Sequence, residues 1–141
     1  MKIEEKSLLV FGSRSLNDYR VEAELKKFLE KNFFKYIITA LDPNGVCERV
    51  KHYAKSCRHG IVLIQMGLDS KRANGMHEWR SKEALKIADH MLVLWDGKSK
   101  GTEGEIKMAK KMNVPTTIIR LDPIIDDSLN CFLDIESELN G

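Results

Sequence analysis

At 141 residues, 43% hydrophobic and 31% charged, the chain reads as one soluble globular domain with room for a real core. No apolar run approaches the roughly 18–20 residues of a membrane span, and a net charge of +2 gives no bulk electrostatic case for nucleic acid. The three cysteines, Cys47, Cys57 and Cys131, are odd in number and lack C-x-x-C spacing, so they read as thiols in a reducing cytoplasm, and residues 1–6 hold no signal-peptide core.

In chain order, residues 8–11 form a short apolar run that ends in Gly12-Ser13-Arg14, which predicts a strand and a turn. Asn17 or Asp18 can cap the helix that follows. In it Val21, Leu25, Phe28 and Leu29 share a face, and Glu22 stands four residues before Lys26. Residues 36–40 predict a second strand, and Asp42-Pro43-Asn44-Gly45 a turn. Val46, Val50, Tyr53, Ala54 and Cys57 mark a second amphipathic helix, which Gly60 closes. Residues 61–66 predict strand three. The polar stretch 67–75 predicts a long loop, a feature that tends to be functional in compact domains. A helix from Met76 or Glu78 to Ala88 comes next, with Ala84, Leu85 and Ala88 inward.

Residues 91–95 are continuously apolar, as in a strand covered on both faces. They lead into Asp96-Gly97-Lys98-Ser99-Lys100-Gly101-Thr102-Glu103-Gly104-Glu105, a polar loop and then a helix start. A helix N-terminus with unsatisfied N–H groups attracts anions, so this unit predicts a phosphate site with a carboxylate one turn inside. The helix runs to about Asn113 and carries Ile106, Ala109 and Met112. Pro115 ends it, residues 116–119 predict strand five, and Leu129, Phe132, Leu133 and Ile135 a short helix in the acidic tail. Strands alternating with helices imply an α/β domain whose five-stranded sheet is mainly parallel. The loops after strands one, two and four then share the carboxyl edge, where such sheets bind ligands.

The run Phe11-Gly12-Ser13-Arg14, with Ala88-Asp89 and Trp95-Asp96-Gly97-Lys98-Ser99-Lys100-Gly101-Thr102, resembles the YspA-like family of the SLOG superfamily over about residues 7–120. The superfamily groups Rossmann-like domains related to LOG enzymes and to Smf/DprA. Gly101-Thr102-x-x-Glu105 is similar to the second half of the LOG signature PGGxGTxxE, and Met76-His77-Glu78-Trp79-Arg80 to the segment that carries the LOG arginine. The resemblance implies a single three-layer nucleotide-binding domain over residues 1–141, with Glu105 and Arg80 as the pair that cleaves an N-glycosidic bond. Its implied ligand-binding residues are Gly12, Ser13, Arg14, Asp42, Gly45, Asp96, Gly97, Ser99, Lys100, Gly101 and Thr102. By analogy it also implies a homodimer. Two departures favour binding over catalysis: Gly97-Lys98-Ser99 replaces the Pro-Gly-Gly half, and Cys47 stands where the second loop usually has Asp. Two alternatives are a non-catalytic nucleotide sensor and a nucleoside deoxyribosyltransferase-like enzyme, the latter suggested by Asp96-Gly97 and Gly-Thr-x-x-Glu-Ile.

Each residue also has a purely structural reading. Thr102-x-x-Glu105 has capping-box spacing, which competes with ligand contact or catalysis for Glu105. Arg80 fits a surface ion pair or a guanidinium fork on phosphate. Asp96 fits a ribose hydroxyl or a brace for its own loop. Trp79 and Trp95 are expected in the core, and Lys98, Lys100, Lys107, Lys110 and Lys111 fit a solvated helix face or attraction of an anionic ligand. His52, His59, His77 and His90 have no third ligand at metal-site spacing, so neither a metal nor a cofactor is expected. A full G-x-G-x-x-G is absent, and Gly97-Lys98-Ser99 lacks the upstream glycine of an NTPase P-loop.

Overall fold

The computed structural model describes residues 6–41, 44–56, 62–66 and 76–124. The expectations for Asp42, Cys57, Gly60, residues 67–75, Cys131 and the tail helix lie outside them. Five strands, β1 (Ser7–Gly12), β2 (Tyr36–Ala40), β3 (Val62–Met66), β4 (His90–Trp95) and β5 (Thr116–Arg120), alternate with α1 (Tyr19–Lys31), α2 (Val46–Ser56), α3 (Met76–Ile87) and α4 (Lys100–Lys111). The sheet order is β3-β2-β1-β4-β5 and, among the described residues, every pairing is parallel, as expected from the sequence.

The alternation of apolar side chains along each buried strand produces two cores. Leu8, Val10, Ile37, Leu92 and Leu94 face Val21 and Leu25 of α1 and Val46 and Val50 of α2. Leu9, Phe11, Ile38, Met91 and Val93 face Ala84 and Leu85 of α3 and Ala109 of α4. These are the three layers of a Rossmann-like domain. β1 and β4 are buried on both faces, which explains their unbroken apolar runs.

Local chemistry sets the helix ends. Asp18, not Asn17, caps α1: its carboxylate accepts the Arg20 N–H at 3.0 Å. The Arg20 guanidinium on the same carboxylate holds Asp18 below its usual pKa. Glu22 reaches across to Arg49 of α2 at 3.1 Å in place of the expected Lys26, a tertiary pairing that helix spacing could not reveal. At α4 the N-cap is Ser99, so Thr102 lies inside the first turn and the capping-box reading of Thr102 and Glu105 is corrected.

β1, β4 and α2 meet at Gly12. A Cβ there would run into the Leu94 carbonyl oxygen and come within 2.5 Å of Val46 Cγ2. Backbone cannot yield as a flexible side chain can, so Gly12→Ala should cost about 2–3 kcal/mol and lower the melting temperature by roughly 6–12 °C. Thermal unfolding checks this; a melting temperature unchanged from wild type would mean that the three elements separate freely.

Candidate functional site

The strand order reverses between β1 and β4, so the loops that leave their carboxyl ends part to opposite faces and open a crevice. Hydrogen bonds lock these two loops together. Ser13 N–H donates to the Leu94 carbonyl at 3.0 Å, Asp96 N–H to Ser13 Oγ at 3.0 Å, and Ser15 Oγ to Asp96 Oδ2 at 2.7 Å. The α2 end joins them: Val46 N–H donates to the Ser13 carbonyl at 3.4 Å. Gly45, with φ +79°, packs so tightly on Arg14 that a Cβ would run into its Cα.

Asp96 organises the fourth-strand loop. Oδ1 accepts the N–H groups of Lys98 and Ser99 at 2.8 and 2.7 Å, and Oδ2 accepts the hydroxyls of Ser15 and Ser99 at 2.7 and 2.9 Å. Burial works against its charge, but these four donors outweigh it and hold the carboxyl well below the usual carboxylate range. Ser99 thereby gives its hydroxyl to Asp96 and makes no side-chain cap bond to α4. Trp95 Nε1 donates to the Ser99 carbonyl at 3.1 Å, while its ring joins the α3/α4 core.

Above this scaffold lies a cleft of about 670 Å³ between the β1 loop, α3 and the first half of α4. It is lined by eight of the residues expected from the sequence: Gly12, Arg14, Arg80, Ser99, Lys100, Gly101, Thr102 and Glu105. Ser13, Gly45, Asp96 and Gly97 are not in the lining. The first three brace the loops beneath it, and Gly97, with φ +79°, lies against the Arg120 guanidinium. Of the two readings of Asp96, its bonds are those of a loop brace.

Ser15, Glu78, Ser81, Gly104 and Met108 also line the cleft and were not expected. Helical spacing carried a signal for Gly104 and Met108: with Gly101, Thr102 and Glu105 they form one face of α4. Ser81 follows Arg80 on α3, and Ser15 follows Arg14 in the first loop.

The cleft carries charges of both signs. Arg14, Lys100 and the first turn of α4 make one end positive, since helix N–H groups and cations both favour an anion there. The Glu78 and Glu105 carboxylates and the Arg80 guanidinium also line the cleft. Arg80 is only 5% exposed, so its side chain is largely buried in the wall of the cleft. Ser81 Oγ lies 3.5 Å from Glu105 Oε2 and ties α3 to α4 at this point. Such an arrangement can hold an anionic group on its cations and helix N–H groups and oppose a carboxylate to positive charge that develops beside it.

No protein-family model, curated protein or solved structure matches the chain. Among the described residues no group of three His, Cys, Asp or Glu is placed to hold a metal ion, and no helix is long and apolar enough to cross a membrane.

Proposed function

We propose that the chain binds a nucleotide or nucleotide-derived ligand in the cleft at the carboxyl edge of the sheet and hydrolyses its N-glycosidic bond. The carrying observation is that Arg14, the α4 N-terminus, Arg80 and Glu105, drawn from three separate stretches of sequence, line one cavity at the reversal of strand order. The phosphate would sit at the positive end. The Glu105 carboxylate would face the anomeric carbon and stabilise positive charge on the sugar as the bond to the base breaks. Arg80 would hold the ligand's anionic or carbonyl groups with its planar fork.

The test is a thermal-shift screen of the purified protein against nucleosides, nucleoside monophosphates, NAD and ADP-ribose, with chromatography of each positive for free base. A raised melting temperature with free base released is the expected result. No shift with any of them overturns the reading. A shift without free base points to the nucleotide sensor, which one observation favours: Gly97, in the segment that replaces Pro-Gly-Gly, is packed on Arg120 rather than lining the cleft.

A further inference from the structure

We infer that Gly104 and Met108 form the part of the cleft wall that takes the base, with Gly104 as the residue whose missing side chain admits the ring. This rests on the nucleotide reading above and assigns the ligand's direction within the cleft.

Residues 101, 104, 105 and 108 share one face of α4, and all four line the cavity. Along that face the chemistry changes in order. Lys100, Gly101 and Thr102 stand at the anion-attracting start of the helix, Glu105 in the middle, and Met108 nearly a turn further along it. At 1.5 Å of rise per residue the face from 101 to 108 spans about 10 Å. A nucleoside monophosphate has a comparable length and the same order: anion, polyhydroxyl sugar, then a flat ring of low charge. Met108 is a half-buried thioether at the edge of the α3/α4 core, and a polarisable sulfur packs well on an aromatic ring.

Gly104 is the informative position. Glycine is among the poorest helix formers, and this one lies in the helix interior. Packing does not require it: a Cβ built there meets nothing within 4 Å. At Gly12 the neighbours forbid a side chain; at Gly104, an exposed position on the cleft lining, a Cβ meets open space. The bare backbone gives a flat surface beside Glu105 on which a ring can lie, and any side chain would project into that space.

The experiment is isothermal titration calorimetry of wild type, Gly104→Ala and Gly104→Val with AMP, GMP, CMP, UMP and ribose 5-phosphate, alongside melting curves without ligand. Gly104→Ala should melt about 2–4 °C higher than wild type, because alanine favours the helix and nothing obstructs it. Gly104→Val should weaken the nucleotides that wild type binds by at least about tenfold through steric overlap, more for purines than for pyrimidines. Ribose 5-phosphate should bind both proteins alike, because it has no ring to exclude. Equal nucleotide binding by wild type and Gly104→Val overturns the assignment of the base but leaves the nucleotide reading standing, as does a parallel loss of ribose 5-phosphate. Failure of wild type to bind any of the four nucleotides overturns the assignment of the base, and overturns the nucleotide reading as well when NAD, ADP-ribose and the nucleosides also give no thermal shift.

Discussion

Replacing Asp96 by alanine should destabilise the protein by about 3–4 kcal/mol, and by asparagine by about 1–2 kcal/mol. Alanine strips the partner from two backbone N–H groups and two hydroxyls at once. The hydroxyls can turn elsewhere; the Lys98 and Ser99 N–H groups are fixed by the loop and stay unsatisfied unless it rearranges. Asparagine keeps an oxygen for the two N–H groups and offers an amide to the hydroxyls as acceptors, so it loses chiefly the charge. Urea denaturation of the three proteins at neutral pH checks the order, and equal stabilities would show that the loop finds other partners. The pH dependence gives an independent check. The native carboxyl titrates below its unfolded value of about 3.9, so as acid is added the native state binds fewer protons than the unfolded state. The stability that Asp96 contributes is therefore fully present above about pH 4 and is lost as pH falls further, through the lowered native value. Asp18 is lowered too, but equally in both proteins. Wild type should thus lose stability more steeply than Asp96→Asn below about pH 4; parallel curves would remove the bonded carboxylate as the cause.

Much of the fold was legible because burial on both faces leaves a plain mark. The apolar runs at β1, β2 and β4, separated by amphipathic helices, specify a parallel sheet, and topology then places the loops after β1, β2 and β4 on one edge. The start of α4 was misread because Thr102-x-x-Glu105 satisfies a local pattern, whereas Asp96 fixes the cap three residues earlier at Ser99. Glu22 was misassigned for a related reason, since its partner Arg49 lies on another helix. Within the site, sequence could not separate residues that shape loops from residues that face the cleft. Ser13, Asp96 and Ser99 are the same small polar types in either role. What distinguishes them is bonding across more than 80 positions, as in Ser15 to Asp96, visible only once β1 and β4 lie side by side.

Glu105→Gln should lower base release by about 10²–10⁴-fold while changing the ligand-induced thermal shift little. Glutamine has the length and shape of glutamate, so it keeps the α4 wall, the neighbouring Gly104 surface and a polar atom near Ser81 Oγ. It removes the negative charge and replaces one carboxylate oxygen with an amide donor. That charge matters little to a neutral ground-state sugar and a great deal to one that becomes cationic as the base departs, so the loss should fall on turnover and spare affinity. Removing Arg80 should act differently. Its guanidinium is buried in α3, and Arg80→Ala would weaken both fold and binding, so it cannot by itself distinguish chemistry from structure. Glu105→Gln can, because a simple binding site tolerates it. Turnover retained within about threefold of wild type would dismiss Glu105 as the acting carboxylate and turn attention to Glu78, the other carboxylate among the described residues that line the cleft. Loss of binding together with turnover would mean that the Glu105 charge holds the ligand rather than its transition state.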